Sequence, residues 1–325
     1  MLDIRNLRKK FGPLVAVDDV SFTVKQGEVL GFLGPNGAGK STTMKMATGF
    51  LAPTAGTAII CGHDILTQPL AAKRQFGYLP EGAPAYPDMV VADFLHFIAH
   101  IRGYRGAEIR ERTNHIVELV HLGEVYDQRI ETLSKGFRRR VGVAQALIHD
   151  PPVLILDEPT DGLDPNQKHE MRHIIAAMRP KKAIVISTHL LEEVEAVCSR
   201  AVIIAKGRLL ADSTPVQLAT RSRYHNAVRL RIASGSLVKI RADLDRLDDV
   251  DLVEAVTDGE DPGTLLVVAR EGRSIADEIA EMARARRWRL VSMTVERGRL
   301  DDVFRAITAP EAAPRSPWDF ANLSH

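Results

Sequence analysis

An α/β fold with a parallel-sheet core, followed by a smaller α+β domain, is what the sequence predicts, and three observations carry the prediction. Short, wholly apolar runs alternate with longer helical patterns through the first half of the chain, as in a parallel sheet flanked by helices. Several of those runs end in polar residues suited to chemistry rather than packing. After about Pro215 the alternation restarts on a smaller scale. The expected division is a first domain over residues 1–218, with a helical subdomain at about 86–149, a small α+β domain over 219–309, and a disordered tail over 310–325 that carries three prolines.

Taken in order, residues 28–33 (EVLGFL) read as a strand that runs straight into a glycine-rich loop. Val153-Leu154-Ile155-Leu156 is a fully apolar run, as expected for a strand covered on both faces, and it ends at Asp157-Glu158. Residues 183–187 end in the same way at Thr188-His189, and residues 201–205 close at Lys206-Gly207. Between these strands the period changes to helical. Val91, Phe94, Ile98 and Ile101 mark one apolar stripe, and Ile109, Ile116 and Val120 a weaker one.

A further helix is predicted from LSKGFRRR. Ser134 is suited to the N-cap, and Phe137, Val141, Ala144, Leu147 and Ile148 recur at helical spacing until Asp150-Pro151-Pro152 stops them. The C-terminal pattern reads strand (227–233), helix (237–247), strands (252–256 and 264–269), helix (275–286), strand (289–295) and short helix (300–307), a β-α-β-β-α-β order with one helix added.

Composition bounds the function classes. The 325 residues are 45% hydrophobic and 26% charged, ordinary for a globular protein, and the formal net charge of +1 provides no global field for nucleic acid. Cys61 and Cys198 show no metal spacing and are expected to be small buried hydrophobes in a reducing compartment. No run approaches the roughly 18 to 20 apolar residues that cross a bilayer, and MLDIRNLRKK lacks the apolar core of a signal peptide. A cytoplasmic location follows as an expectation, with any membrane role reached through a partner.

The stretch GPNGAGKST (Gly34, Pro35, Asn36, Gly37, Ala38, Gly39, Lys40, Ser41, Thr42) matches a phosphate-binding loop. Its glycines let successive N–H groups converge on a phosphate, Lys40 supplies charge to the outer phosphates, and the Ser41 hydroxyl is suited to Mg²⁺. At average residue usage the pattern arises by chance in roughly one chain in a hundred of this length, and the strand before it and helix after it lower that further. Asp157 can hold Mg²⁺ through water while Glu158 orients or deprotonates an attacking water. His189 ends another strand on the same edge, where it can hydrogen-bond a terminal phosphate. Ser134 and Gly136, at a helix start, form a second anion seat whose purpose the first loop does not explain.

With these residues assembled, residues 2–218 closely resemble the ATP-binding cassette (ABC) ATPases. Seven motifs stand in the family's order: the aromatic Phe11, the phosphate loop at 34–42, a Q-loop position at Glu81, the signature LSKGF, the magnesium strand VLILDE, the D-loop DGLD ending at Asp164, and the switch histidine His189. The resemblance implies a P-loop NTPase domain that hydrolyses ATP with Mg²⁺. It implies Glu158 and His189 as catalytic residues, Ser41, Asp157 and Glu81 around the metal, and Phe11 stacked on adenine. It also implies head-to-tail pairing with a second cassette, most simply another copy, so that Ser134, Gly136 and Asp164 act on the partner's ATP. Integral membrane permease subunits complete the expected assembly on the cytoplasmic face of the membrane, and no nucleic acid is expected.

The chain departs from the family at four positions: Lys135 stands for glycine and Phe137 for glutamine in the signature, Glu81 for glutamine, and Asp161 for serine. These variants resemble the branch that serves ABC-2-type exporters. The alternative reading, a soluble cassette ATPase acting on ribosomes or nucleic acid, fits less well. Only one cassette is present, and the 94 positions from Lys40 to Ser134 leave no room for a long coiled coil.

Overall fold

A computed structural model describes residues 1–82, 85–256 and 263–308. The segment expected to be a disordered tail lies outside these residues. The chain divides into two compact units, Met1–Asp212 and Ser213–His325.

The first unit contains β1 (Leu2–Phe11), β2 (Leu14–Val24), β3 (Val29–Leu33), α1 (Lys40–Ala47), β4 (Ala55–Ile60), β5 (His63–Asp64), α2 (Pro69–Arg74), β6 (Phe76–Leu79), α3 (Val91–Ile101), α4 (Ala107–Leu119), α5 (Lys135–Leu147), β7 (Val153–Asp157), α6 (Pro165–Met178), β8 (Ala183–Thr188), α7 (Leu191–Val197), β9 (Arg200–Ala205) and β10 (Arg208–Ser213). Six strands form one sheet in the order β10-β9-β3-β8-β7-β6, and the pairs from β9 to β6 run parallel. A second sheet, β2-β1-β4-β5, is antiparallel.

The parallel sheet is buried on both faces, which is why its strands read as unbroken apolar runs. Alternation along each strand sends neighbours to opposite cores. Val153 and Ile155 of β7 pack with Val185 of β8, Phe32 of β3 and Met44 of α1, whereas Leu154 and Leu156 pack with Ile184 and Ile186 against residues of α3, α5 and α6. At roughly 1.5–3 kcal/mol per fully buried large apolar side chain, this two-sided packing holds the strand ends rigidly. Because the strands are parallel, their carboxyl ends share one edge. Leu33 pairs with Thr188 and Asp157 with Ser187 there.

Of the stripe expected on α3, Val91 and Phe94 are buried and Ile98 is partly so, but Ile101 at the end of the helix is 63% exposed, because the buried face turns through Leu95 and Ala99. Val91, Phe94, Leu95 and Ala99 of α3 and Ile116 of α4 join Val141, Ala144 and Leu147 of α5 in one core. Ser134 is the N-cap of α5, its hydroxyl accepting a bond from Phe137 N at 3.3 Å. The free cysteines Cys61 and Cys198 are partly rather than fully buried, and burial pushes the Cys198 thiol up to about 12.

The second unit contains α8 (Pro215–Ala219), β11 (His225–Ser234), α9 (Leu237–Leu244), β12 (Val250–Val256), β13 (Thr264–Ala269), α10 (Ala276–Ala285), β14 (Arg289–Arg297) and α11 (Leu300–Thr308). Its sheet has the order β12-β13-β11-β14 with antiparallel pairing. Ile240, Leu244, Ile275 and Ile279 cover one face over Val228, Leu230, Leu265 and Val267. The units part after Asp212, earlier than the expected boundary at 218, because α8 packs with α11 and Gly298 approaches the Ala219 carbonyl. A capping box between Thr214 and Gln217 starts α8. No helix among the described residues is long and apolar enough to cross a membrane.

Candidate functional site

The loop between β3 and α1 is shaped by contacts that only glycine permits at two positions. A Cβ on Gly34 would lie 2.4 Å from the Ile204 carbonyl oxygen on β9, so the chain leaves the sheet edge through a gap without room for a side chain. Gly39 has φ +106° and a Cβ there would lie 2.7 Å from Ala16 O. The left-handed turn it makes starts α1 at Lys40 with the first N–H groups of the helix free.

This loop walls a cavity of about 520 Å³. Asn36, Gly37, Gly39, Lys40, Ser41 and Thr42 line one side, and Glu81, Glu158, Asp161 and His189 line the other. Residues separated by more than a hundred positions thus meet at the carboxyl edge of the sheet. Gly34, Pro35 and Ala38 shape the loop from behind, with Ala38 N bonded to Pro35 O at 3.1 Å and Gly207 N to Ala38 O at 3.0 Å.

Lys40 is 6% exposed. Its ammonium donates to Gly34 O at 2.8 Å and to Pro35 O at 3.3 Å, and lies 3.8 Å from Glu158 Oε1. Burial holds its pKa below the usual lysine range, against the opposing pull of Glu158, Asp157 and Glu81. Glu158 follows β7 with φ +52°, a left-handed conformation that costs a non-glycine residue about 1–2 kcal/mol. Its N–H donates to Ser187 O at 2.8 Å, so pairing to β8 holds the strained turn. The turn aims the carboxylate at His189, whose Nδ1–H donates to Glu158 Oε2 at 2.9 Å. That bond leaves Nε2 of the exposed imidazole for a ligand.

Asp157 is fully buried, and neither of its carboxylate oxygens has a hydrogen-bond partner among the described residues. The hydroxyls of Thr160 and of Ser187, the sheet neighbour of Asp157, are likewise buried and unpartnered among the described residues. Orphaned acceptors of this kind are costly unless a cation or water satisfies them.

The remaining expected site residues lie off the cavity wall. Phe11 ends β1 at the hairpin, opposite Leu14, where it is 47% exposed with the Lys9 ammonium 5.1 Å from its ring centre. The hairpin register holds it there, and Ala16 of β2 lines the cavity instead. Ser134 and Gly136 start α5. A Cβ on Gly136 would lie 2.6 Å from the Gln167 side chain, and the Lys135 side chain lies 3.6 Å from the corresponding position on Gly162. The signature turn therefore packs on the D-loop and the start of α6. Asp164 is the N-cap of α6, accepting from Gln167 N at 2.9 Å.

One charged residue escaped the sequence reading. Arg139 of α5 is buried, and its Nη1 atom has no hydrogen-bond partner among the described residues. Burial depresses its pKa, while Asp161, Glu158, Asp157 and Glu81 favour its charge. In sequence it is one of three consecutive arginines; nothing local distinguishes it from Arg138, which is exposed.

Residues 17–161 match the family described as ABC transporter. The chain is 38% identical over 224 residues to the Nod factor export ATP-binding protein I of Ralstonia nicotianae, covering 68% of this chain and 69% of that protein. A solved structure of an ATP binding subunit of an ABC transporter superposes with TM-score 0.63 at 31% identity, over 68% of this chain and 92% of the other. A dimeric, post-hydrolysis structure of the ATP-binding cassette MJ0796 bound to ADP and Pi shares the fold, with TM-score 0.61 at 22% identity, over 66% of this chain and 99% of that one.

Proposed function

Because the chain belongs to the ABC transporter family, whose cassettes bind and hydrolyse ATP, we propose that it drives a separately encoded membrane permease by closing head to tail on a second cassette, most simply another copy. The transport it powers is export of the ABC-2 type. The relative named for Nod factor export supports the direction, and the dimeric cassette of the same fold supports the pairing.

The observation that carries the reading is the meeting of Lys40, Ser41, Glu158 and His189 around one cavity while Ser134 lies elsewhere. The loop N–H groups and Lys40 hold the β- and γ-phosphates, and Phe11 stacks on the adenine. Glu158 orients a water toward the γ-phosphorus and accepts its proton. The new P–O bond forms as the β–γ bridge breaks, ADP leaves with the electron pair, and His189, in its imidazolium form, donates from Nε2 to the γ-phosphate while Nδ1–H stays on Glu158. Mg²⁺ fits the donors present: Ser41 and Glu81 at the wall and the orphaned carboxylate of Asp157 behind it. Bound there, the ion neutralises charge on the phosphate oxygens.

Ser134 and Gly136 of one cassette meet the γ-phosphate held by Lys40 of the other, and Asp164 shapes the D-loop between them. Each charge-assisted bond contributes about 1.5–3 kcal/mol, so hydrolysis loosens the pair and provides the stroke. The exposed Tyr86, edge-to-face with Phe97 at 5.8 Å, and Ile101, 63% exposed, form the face on which the permease docks. On this reading the subunit works at the cytoplasmic face of the membrane.

The test is the mass of the Glu158→Gln chain by size-exclusion with light scattering. A dimer with Mg-ATP and a monomer without it are expected. A monomer under both conditions overturns the proposal.

A further inference from the structure

Away from the cavity, α6 carries His169-Glu170-Met171-Arg172-His173. The two histidines are four positions apart, which stacks them on one face of the helix. Both are exposed, whereas Met171 and Ile174 turn into the core.

Their Nε2 atoms lie 3.0 Å apart, and the rings stand at 75° with centroids separated by 4.4 Å. Two arrangements bring ring nitrogens this close. A head-on N–H···N bond would hold the centroids about 5.3 Å apart. Rings sharing a cation about 2.0–2.1 Å from each nitrogen would hold them about 4.7 Å apart. The observed separation is shorter than both, so the rings stand edge to face with neither geometry complete, and the two ring nitrogens are already as close as a shared cation would bring them.

The geometry points to a two-imidazole binding site at His169 and His173 for a divalent first-row transition ion of the Zn²⁺, Ni²⁺ and Cu²⁺ class. Neutral imidazole favours these over the hard oxygen-seeking Mg²⁺ and Ca²⁺, and affinity should rise from Co²⁺ through Ni²⁺ to Cu²⁺. The site is separate from the one that serves ATP.

The spacing is also that of helical His-Glu-x-x-His metal sites in which the glutamate acts as a base. Here Glu170 is engaged by the Arg140 guanidinium of α5. Among the described residues no group of three or more His, Cys, Asp or Glu is placed to hold a metal. Water would fill the remaining positions, making binding reversible and giving no hydrolytic centre. The ion would bridge two successive turns of α6, whose Lys168 and Arg172 reach Glu192 of α7.

The test is calorimetric titration of the full, untagged chain with Ni²⁺, together with nitrogen hyperfine structure in the paramagnetic resonance spectrum after Cu²⁺ is added. One Ni²⁺ per chain and coupling to two imidazole nitrogens are expected. His169→Ala and His173→Ala should each weaken that binding tenfold or more, while Glu170→Gln and His115→Ala, an exposed histidine on α4, should leave it unchanged. Because both ring positions are exposed, the substitutions should leave the fold intact, and circular dichroism checks this. Affinity in either histidine variant equal to that of the unaltered chain overturns the proposal, as does loss of binding in Glu170→Gln or the absence of stoichiometric binding at millimolar Ni²⁺.

Discussion

Nδ1 of His189 lies 2.9 Å from Oε2 of Glu158, while the other oxygen of the same carboxylate faces the Lys40 ammonium at 3.8 Å. The carboxylate is held between two cationic or proton-donating groups from different strand ends, which keeps it oriented toward the phosphate loop. Glu158→Gln keeps the shape and the strained turn but removes the acceptor for a water proton. Turnover should fall by about 10²–10⁴-fold with ATP affinity retained, checked by phosphate release alongside equilibrium nucleotide binding. Turnover near that of the unaltered chain would remove Glu158 from the chemistry.

His189→Ala removes the group that orients Glu158 and the free Nε2 donor. We expect kcat to drop by about 10²-fold, as for loss of a positioned donor, with KM for ATP changed less. Steady-state kinetics separate the two, and a change confined to KM would assign His189 to binding instead.

Gly34→Ala tests the loop's geometry rather than its chemistry. The added methyl would lie 2.4 Å from a backbone carbonyl on β9, and backbone cannot swing aside as a side-chain tip does. Destabilisation of about 1–3 kcal/mol is expected in urea unfolding, together with loss of nucleotide binding. Unchanged stability would mean that the β3–β9 edge yields more easily than its packing suggests.

Glu193, in the first turn of α7, is 2% exposed and its Oε1 has no hydrogen-bond partner among the described residues. A helix N-terminus favours a carboxylate by about 0.3–1 kcal/mol, but burial outweighs this and raises the pKa from 4.5 to about 7, against the lowering influence of Thr188, Arg172 and Lys168. A carboxyl with a raised folded pKa binds its proton more tightly in the native state, so its contribution is complete below the unfolded value. That contribution is lost as pH rises from about 4.5 through about 7. Glu193→Gln should flatten the fall in stability across that window by about 1–3 kcal/mol, measured by denaturant titration at a series of pH values. An unchanged slope would show that the native carboxyl titrates as it does in the unfolded chain.

Lys182 donates to Asp150 Oδ1 at 2.5 Å and to Pro151 O at 2.7 Å, bridging the end of α5 to the start of β8. Lys182→Met keeps the buried stem and removes the charge. A modest loss of about 0.5–2 kcal/mol without effect on ATP turnover is the expected outcome of paired unfolding and kinetic measurements. A large loss of turnover would mean that this bridge positions the catalytic edge.

Much of the architecture was legible in the sequence because it rests on local rules. The unbroken apolar runs of β7 and β8 signalled strands covered on two faces, and glycines at 34, 37 and 39 before Lys40 signalled the loop. Ser134 followed by helical spacing signalled α5. Each of these is a property of residues close together in the chain, where φ/ψ preference and side-chain period suffice.

What the sequence could not decide were contacts between elements distant in the chain. The unpartnered carboxylate of Asp157, the burial of Arg139 of α5 beside the acidic cluster, and the 2.9 Å bond joining Glu158 to His189 belong to this class. A one-residue slip in the pairing of β7 with β8 would have turned the strand-end side chains to the other face. Local chemistry determined which elements form and which residue types stand at their ends. Packing of the two cores on either side of the sheet decided which of those ends meet.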